Sequence, residues 1–350
     1  MAPEKNLSLI FKKSPTGWPV PGEHLTVEDR GYDPSASPPA GGIITQNIYA
    51  SFDPYMRGRM RSPEKKSYSP PFTLNEPITS FCVCRVLKSD NPTYKEGDNM
   101  VGPAIPVQQY SSLPREKLES ARKIDASSPI QDVRNYIGPL GMPGLTAYSS
   151  LYEIGKPKKG EVIFISSAAG AVGQLVGHLA KHEGLTVFGS VGSDEKLKFI
   201  TSDLGFDGGF NYKQEKPLDA LKRLSPDGID IYYENVGGEQ LEAALEMLRQ
   251  DGRIVACGMV SQYNLPDDQK YGIKNLVHVI AKNLTMRGFI VGTPEFGPKW
   301  LEEHQKNVSK WIAEGSFKAT FSETEGIEHG PEGLVGMLKG ENFGKAVLKI

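Results

Sequence analysis

The feature that most constrains the fold of this chain is a regular alternation of strand-like and helix-like segments after Pro129. Apolar runs such as EVIFIS and GIDIYYENV alternate with helix-periodic stretches such as PLDALKRL and EQLEAALEMLRQ. This spacing indicates parallel strands, because parallel neighbours must be joined by a long crossover connection. The sequence therefore predicts an α/β fold with a doubly wound parallel sheet.

The first 129 residues have a different pattern. Prolines are frequent there, and short apolar runs such as FCVCRVL are separated by turn-forming sequences such as KEGDN, which predicts a β-rich domain. The end of the chain, from FKATFSETEG to FGKAVLKI, returns to strand-like patterning. We therefore place the β-rich domain at residues 1–129 and 315–350, and the α/β domain at residues 130–314.

Charge and composition limit the partners of the chain. The net charge is -2, from 40 basic and 42 acidic residues, so we expect no nucleic-acid and no membrane partner. The three cysteines are too few and too unevenly placed for a disulfide framework, which favours a reducing compartment. No stretch approaches the roughly 20 apolar residues of a spanning helix. We expect a cytoplasmic protein that binds a small molecule.

A glycine-rich turn, SSAAGAVG, lies between the strand EVIFIS and the helix AVGQLVGHLAKHEG. This is the context of a dinucleotide-binding turn, in which Gly170 lets backbone N–H groups approach a pyrophosphate and Gly173 lets the helix pack closely on the strand. The helix N-terminus adds partial positive charge. Ala168 replaces the usual first glycine, which is compatible with this turn if its φ is negative. The alternative is a tight strand-to-helix connection without a ligand.

The next strand, LTVFGSV, ends without the acidic residue that commonly holds the ribose 2′-hydroxyl of NAD. Lys196 follows one helical turn later, and Tyr212 closes the third strand. A cation and a phenol suit a 2′-phosphate, so we expect NADPH rather than NADH. Asp194 and Glu195 follow a predicted N-cap, Ser193, and are explained as acids in the first turn of a helix. Alternatively, Lys196 is a solvated helix lysine.

The sequence lacks a recognisable set of zinc ligands. Cys82 and Cys84 share one face of a predicted strand, but no second pair of Cys or His residues completes a site. His178 and His182 have the spacing found in zinc proteases, yet Leu179 replaces the required glutamate. We expect core cysteines, histidines on a helix surface, and no metal.

Without a metal or an evident nucleophile, the chemistry has to come from a cofactor hydride and from protein groups that polarise the acceptor. Tyr263 is the best candidate for such a group, because it lies just beyond the strand RIVACGMV, at the edge where doubly wound sheets bind ligands. The alternative is that Tyr263 only packs against the loop.

Several motifs, in order along nearly the whole chain, resemble a known family. They are SFDPYMRGRM, GMPGLTAY, SSAAGAVG, GSDEK, FNYK, ENVGG, CGMVSQYN and ENFGKAVLKI. The chain resembles the zinc-independent medium-chain dehydrogenases/reductases. Within them it is similar to alkenal double-bond reductases and to prostaglandin reductases, also called leukotriene 12-hydroxydehydrogenases.

This resemblance implies a GroES-like catalytic domain, formed by both ends of the chain, around a Rossmann NADPH-binding domain, and it implies a homodimer. It assigns Tyr263 to the nicotinamide ribose and the substrate oxygen, and Tyr55 to the mouth of the substrate site. The residues that it places along the cofactor are Met142, Thr146, Ala169, Gly170, Ala171, Val172, Gly173, Gly192, Lys196, Tyr212, Asn235, Cys257, Tyr263, Phe289, Val291 and Asn342. Relatives commonly have a Gly-Gln pair where this chain has EPITSFCVCRV, so the shape of the substrate pocket does not carry over.

The function that these observations predict is NADPH-dependent reduction of the carbon–carbon double bond in α,β-unsaturated aldehydes or ketones. Hydride would go to the β-carbon, and Tyr263 together with the nicotinamide ribose hydroxyl would stabilise the enolate oxygen. Two alternatives stay open, a quinone oxidoreductase on the same scaffold and a non-catalytic NADPH-binding protein.

Overall fold

The structure is a computed structural model that describes residues 4–350. Its strands are β1 (Leu7–Phe11), β2 (Leu25–Asp29), β3 (Ile43–Ser51), β4 (Thr79–Ser89), β5 (Asn99–Pro106), β6 (Tyr110–Leu113), β7 (Arg122–Lys123), β8 (Val162–Ile165), β9 (Thr186–Val191), β10 (Gly208–Asn211), β11 (Ile229–Glu234), β12 (Leu248–Ala256), β13 (Thr285–Gly288), β14 (Phe321–Glu325) and β15 (Lys345–Lys349).

The α-helices are α1 (Met56–Arg59), α2 (Arg115–Leu118), α3 (Met142–Ser150), α4 (Ala171–His182), α5 (Asp194–Ser202), α6 (Pro217–Leu224), α7 (Gly238–Met247), α8 (Val277–Ala281), α9 (Gly297–Ala313) and α10 (Gly330–Leu338). No helix within residues 4–350 combines the length and the apolar content that crossing a bilayer requires. The chain forms two compact units. One unit consists of the chain up to Gly138 together with Phe321–Ile350, and the other unit consists of Pro139–Thr320.

Six strands of the second unit form a sheet in the order β10-β9-β8-β11-β12-β13. Each neighbouring pair is parallel, as the strand–helix alternation predicts. The strand order runs outward from β8 to β10, then returns to place β11 on the other side of β8. A sheet of this kind has a switch point between β8 and β11, outside whose carboxyl ends ligands bind.

Aromatic and aliphatic side chains of this sheet pack against two helices. Phe164 on β8 stacks on Tyr232 of β11, with ring centroids 5.0 Å apart. Leu221 on α6 and Leu245 on α7 belong to the same buried cluster. Each fully buried side chain of this size contributes about 1.5–3 kcal/mol to folding. The strands are therefore held in register by the core beneath them.

Two predicted element boundaries are wrong. The helix EQLEAALEMLRQ ends at Met247 rather than at Gln250, because Leu248 is extended and pairs with Ile229 in the sheet. Tyr212, which was expected to close the third strand, follows the last strand residue, Asn211.

The first unit contains a sheet in the order β14-β15-β3-β4-β5-β7, with β6 added against β3. Neighbouring strands are antiparallel except for β14 and β15. Cys82 and Cys84 on β4 are fully buried, as expected for core cysteines. The two sheets confirm the predicted fold class, a Rossmann-type parallel sheet with a β-rich, GroES-like partner. The predicted domain bounds and roles stay predictions.

A buried ion pair anchors the C-terminal strand of this unit. Lys345 is 1% exposed, and its Nζ lies 3.3 Å from Oδ1 of Asp53. The ammonium also donates to the carbonyl oxygens of Phe52 and Ala346. Ser51 donates its hydroxyl to Asp53. Burial lowers the pKa of Lys345, and the Asp53 carboxylate opposes this shift. The pair therefore holds β15 to the segment that follows β3.

Lys345→Met should destabilise the protein by about 3–5 kcal/mol, because it leaves the Asp53 carboxylate buried and without its cation. The matched control is Lys349→Met on the same strand, whose ammonium pairs with Glu325 at 2.9 Å on the surface. The control should change stability by about 1 kcal/mol or less. Urea unfolding of both variants measures the difference, and equal unfolding midpoints would contradict this role for the buried pair.

Candidate active site at the carboxyl edge of the parallel sheet

The strands of the parallel sheet lead directly into residues that the sequence predicted as functional. Because the strands are parallel, their carboxyl ends lie at one edge of the sheet. The residues at that edge are Ala169–Gly173 after β8, Gly192 and Lys196 after β9, Tyr212 after β10, Asn235 after β11, Cys257 and Tyr263 after β12, and Phe289 and Val291 after β13. Met142 and Thr146 lie on α3 of the same unit, whereas Tyr55 and Asn342 lie in the other unit.

The glycine-rich turn accommodates alanine in place of its first glycine. Ser167, not Ala168, has a positive φ, of 52°. The Ala168 N–H donates to the carbonyl oxygen of Ser190 at 3.0 Å, and its side chain is fully buried. A Cβ on Gly189 would lie 2.6 Å from the Ala168 Cβ. Gly189 therefore provides the space that the additional methyl group needs.

The start of α4 has the geometry of an anion-binding site. Gly170 is the N-cap in extended conformation, and no side chain caps this end. A Cβ on Gly173 would lie 2.5 Å from the Ser167 carbonyl oxygen, so only glycine allows the helix this close to the turn. The N–H groups of Ala171, Val172 and Gly173 have no carbonyl acceptor within the helix. The turn therefore fits the phosphates of a dinucleotide.

Two lysines and a tyrosine cluster after β9 and β10. The Tyr212 hydroxyl would lie only 2.9 Å from a Cβ on Gly192, so the phenol rests on this glycine. Burial lowers the pKa of Lys196, and the charge of Lys213 lowers it further. Two ammonium groups that repel each other suit a doubly negative ligand group such as a phosphate monoester. The sequence interpretation missed Lys213, although it belongs to the motif FNYK.

The acidic residues at the start of α5 are explained by local structure. Ser193 is the N-cap, and its hydroxyl accepts from the Lys196 N–H at 3.2 Å. The Asp194 carboxylate accepts from the side-chain amides of Asn211 at 2.9 Å and of Gln214 at 3.0 Å. These hydrogen bonds lower the pKa of Asp194. The carboxylate therefore joins α5 to the segment after β10.

A buried carboxylate organises the turn after β11. Glu234 is fully buried, and its Oε1 accepts from the N–H groups of Val236 at 2.6 Å and of Gly237 at 2.7 Å, and from the Tyr232 hydroxyl at 2.9 Å. Its Oε2 has no hydrogen-bond partner among residues 4–350. Burial raises the pKa of Glu234. The sequence interpretation gave this residue no role, although it begins the motif ENVGG.

The Glu234 turn fixes its neighbours at the sheet edge. Asn235 donates its N–H to the Ser166 hydroxyl at 2.9 Å and its side-chain amide to the Ser166 carbonyl at 2.7 Å. The N–H groups of Cys257 and Gly258 donate to the Glu234 carbonyl at 2.9 and 3.0 Å. The ends of β8, β11 and β12 are thereby tied together.

Tyr263 lies on the backbone that follows β12. Its hydroxyl accepts from the Met259 N–H at 3.1 Å, and a Cβ on Gly258 would lie 3.1 Å from the same oxygen. Nearby, burial raises the pKa of Cys257 to about 12, and the Tyr233 hydroxyl opposes this shift. Cys257 is therefore a neutral thiol at neutral pH rather than a nucleophile.

The remaining predicted residues contact their local surroundings. Thr146 Oγ1 donates to Met142 Sδ at 3.5 Å. The Phe289 ring packs on Phe296, with centroids 5.0 Å apart, and the Val291 carbonyl accepts from the Gly297 N–H at 2.7 Å. In the other unit, Asn342 donates its side-chain amide to the Gly344 carbonyl at 2.7 Å. Tyr55 is half-buried, and burial raises the pKa of its hydroxyl to about 12.

The histidine pair on α4 differs from the prediction of two surface histidines. The His178 ring is half-buried and packs against Trp311 and Phe317, at centroid distances of 5.1 and 4.9 Å. Burial, and secondarily the charge of His182, lowers the pKa of His178 to about 4. The histidine is shielded because α9 covers this face of α4. Within residues 4–350, no group of three or more His, Cys, Asp or Glu side chains could hold a metal ion.

Two family profiles match the chain. The family described as "Zinc-binding dehydrogenase" matches residues 171–308, and the family described as "N-terminal domain of oxidoreductase" matches residues 8–121. The first match lies in the unit with the parallel sheet and the second in the unit with the antiparallel sheet, so both units match oxidoreductase families.

Curated relatives match over nearly the full length. An NADP-dependent oxidoreductase of Cochliobolus heterostrophus is 52% identical over 99% of this chain and 98% of its own. A 2-alkenal reductase (NADP(+)-dependent) of Nicotiana tabacum is 42% identical over 99% of this chain and 97% of its own. The crystal structure of CurA in complex with NADPH from Vibrio vulnificus has a TM-score of 0.88 and 30% identity, and covers 98% of both chains.

The chain belongs to the medium-chain dehydrogenase/reductase family, on the branch of the zinc-independent alkenal reductases. The resemblance that the motifs indicated is thereby confirmed.

Proposed function

We propose that this chain is an NADPH-dependent reductase of the carbon–carbon double bond in α,β-unsaturated aldehydes and ketones. The observation that carries the proposal is the order of groups along one sheet edge: a glycine-rich turn and an uncapped helix start after β8, a basic cluster after β9 and β10, and a phenol after β12. The 2-alkenal reductase of Nicotiana tabacum and the (+)-pulegone reductase of Mentha piperita, each 42% identical, support the same reaction class.

The cofactor proposal follows from the chemistry of that edge. The N–H groups at the start of α4 hold the pyrophosphate, and Lys196, Tyr212 and Lys213 hold the 2′-phosphate. Gly192 lets the phenol of Tyr212 lie close to the backbone after β9, beside the proposed 2′-phosphate site. Asn235 and Cys257, fixed by the Glu234 turn, border the rest of the dinucleotide. The other cofactor contacts of this proposal are Met142, Thr146, Phe289, Val291 and Asn342. When the dinucleotide is bound, its nicotinamide ring supplies the hydride.

Tyr263 acts on the substrate. Because its oxygen accepts a hydrogen bond from the Met259 N–H, the hydroxyl is oriented and has its own proton to donate. Hydride addition at the β-carbon of an enone leaves negative charge on the carbonyl oxygen of the enolate. A hydrogen bond from Tyr263 stabilises this charge more than that of the ground-state carbonyl, which is the condition for catalysis. The α-carbon then takes its proton from solvent, and Tyr55 contacts the substrate.

We also propose that the protein acts as a homodimer in the reducing cytoplasm. Strand β13 is one of the two edge strands of the parallel sheet, and α8, which precedes it, exposes Val277 by 64% and Ile280 by 85%. An open strand edge beside exposed apolar side chains suits pairing with a second copy. The buried free thiols of Cys82 and Cys84 agree with a reducing compartment.

The reaction is tested by following the hydride. With NADPH deuterated at the transferred position of the nicotinamide ring, a 2-alkenal should give a saturated aldehyde that carries deuterium on the β-carbon. The α-carbon should gain hydrogen from water. Nuclear magnetic resonance of the product distinguishes the positions. Deuterium on the carbinol carbon of an allylic alcohol would identify an alcohol dehydrogenase, and turnover of quinones alone would identify a quinone reductase.

Tyr263→Phe should lower kcat/KM for an enone at least about tenfold, since loss of one oxyanion donor costs about 10²–10³ and a ribose hydroxyl shares the task. Tyr271→Phe is the matched control, because the Tyr271 hydroxyl donates to Glu242 at 3.0 Å instead. Steady-state kinetics compares the two variants. Wild-type kcat/KM in Tyr263→Phe would show that Tyr263 only packs.

A further inference from the structure

Glu234, at the end of β11, is fully buried but uses only one of its two carboxylate oxygens. Oε1 accepts from the N–H groups of Val236 at 2.6 Å and of Gly237 at 2.7 Å. Oε2 has no hydrogen-bond partner among residues 4–350. A buried polar oxygen without a partner costs stability, so stability alone does not explain a carboxylate at this position. Its bonds through Oε1 fix the turn that follows β11, and this turn supports a second loop.

The second loop, residues 257–263, which we call the Tyr263 loop, is hydrogen-bonded to three consecutive carbonyl groups of this turn. The bonds run from the Gly258 N–H to the Glu234 carbonyl at 3.0 Å, from the Val260 N–H to the Asn235 carbonyl at 3.1 Å, and from the Ser261 N–H to the Val236 carbonyl at 3.1 Å. The Ser261 hydroxyl also donates to the Val236 carbonyl, at 2.6 Å. The position of the Tyr263 loop therefore depends on the path of the backbone through the turn.

The same turn also packs closely against the Tyr263 loop. Gly237 has a φ of 76°, which glycine adopts without strain, and a Cβ on it would lie 3.0 Å from the Cβ of Met259. Met259 donates its N–H to the Tyr263 hydroxyl at 3.1 Å. Because Glu234 accepts from the Gly237 N–H, the carboxylate fixes the glycine against which Met259 packs. A continuous set of contacts therefore connects the buried carboxylate to the phenol.

We propose that Glu234 is a positioning residue, whose carboxylate holds the Tyr263 loop in the place from which the Tyr263 hydroxyl donates to the substrate oxygen. This inference rests on the proposed function, because it takes Tyr263 as the group that stabilises the enolate. Glu234 itself does not touch the substrate. The neighbouring Asn235 is held separately, since its N–H and its side-chain amide donate to Ser166. Loss of the carboxylate should therefore lower kcat and leave the affinity for NADP⁺ nearly unchanged.

Asp230 provides a matched control on the same strand. It lies near the start of β11, whereas Glu234 is the last residue of this strand. Its Oδ2 accepts from the Val162 N–H and from Nη1 of Arg249, both at 2.7 Å. Replacing Asp230 therefore removes a carboxylate that also fixes backbone in the parallel sheet, but at the edge opposite to the Tyr263 loop.

The first measurement is a double-mutant cycle in kcat for an enone. Glu234→Leu should lower kcat at least about tenfold, as Tyr263→Phe does, since the hydroxyl is displaced in one variant and absent in the other. The double variant should lose little more than either single variant, because both changes remove the same interaction. Glu234→Gln, which keeps one acceptor oxygen for the two N–H groups, should restore most of kcat. The dissociation constant of NADP⁺ should stay near the wild-type value in Glu234→Leu.

The second measurement needs no turnover. Hydrogen exchange, followed by mass spectrometry, reports the protection of the Val260 and Ser261 N–H groups, which donate to the turn after β11. Their exchange should be about tenfold faster in Glu234→Leu than in the wild type, because these hydrogen bonds open more often when the turn is no longer held. Glu234→Gln and Asp230→Leu should keep the wild-type exchange of this segment.

The outcomes separate this inference from the proposed function. If the wild type reduces no enone, the proposed function fails, and hydrogen exchange still decides whether Glu234 holds the Tyr263 loop. If the effects of Glu234→Leu and Tyr263→Phe on kcat multiply, or if Asp230→Leu loses as much kcat, Glu234 is only structural and the inference is overturned. Circular dichroism and thermal unfolding check each fold. If Glu234→Leu does not fold, Gly237→Ala, whose methyl group crowds Met259 on the same turn, takes its place in the cycle.

Discussion

The parallel pairing of six strands is the constraint on which the candidate site depends. Because β8 to β13 run in one direction, the segments that follow these strands all lie at the same edge of the sheet. The start of α4, Lys196, Lys213 and Tyr263, which we propose bind the cofactor and the substrate, all follow strands of this sheet without being close in sequence. No single loop of this chain could bring these groups together, and an antiparallel order would send half of them to the opposite edge.

Buried polar groups then fix the conformation of the backbone at this edge. The Glu234 carboxylate, the Ser166 hydroxyl and the Tyr232 phenol hydrogen-bond the backbone where β8 and β11 end. Such a network is stabilising only when its members have partners, and the bonds to Val236 and Gly237 meet this condition for Glu234 Oε1. The other unit uses the same principle, since Lys345 and Asp53 hold the segment that leads to Tyr55. In both units a buried ionisable side chain fixes a loop next to a residue of proposed function.

Much of this arrangement could be predicted from sequence, because its signals are local. Alternation of strand and helix specified the parallel sheet, and the N-cap Ser193 was correctly predicted from its sequence context. The features that the sequence did not predict depend on contacts between distant residues. Nothing near Ala168 indicates that Gly189 makes room for it, and the extended conformation of Leu248 follows from its pairing with Ile229. The proximity of Lys213 to Lys196 becomes visible only when the ends of β9 and β10 lie side by side.

The central claim is that this edge selects a dinucleotide with a 2′-phosphate, and calorimetric titration with NADP⁺ and NAD⁺ tests it most directly. The wild type should bind NADP⁺ more tightly than NAD⁺. Lys196→Ala should weaken NADP⁺ binding by about 10- to 150-fold, the value of a hydrogen bond to a charged group, and change NAD⁺ binding little. Lys198→Ala, an exposed lysine on the same helix, should leave both unchanged. Equal affinity of the wild type for both dinucleotides, or equal losses of both in Lys196→Ala, would contradict the account.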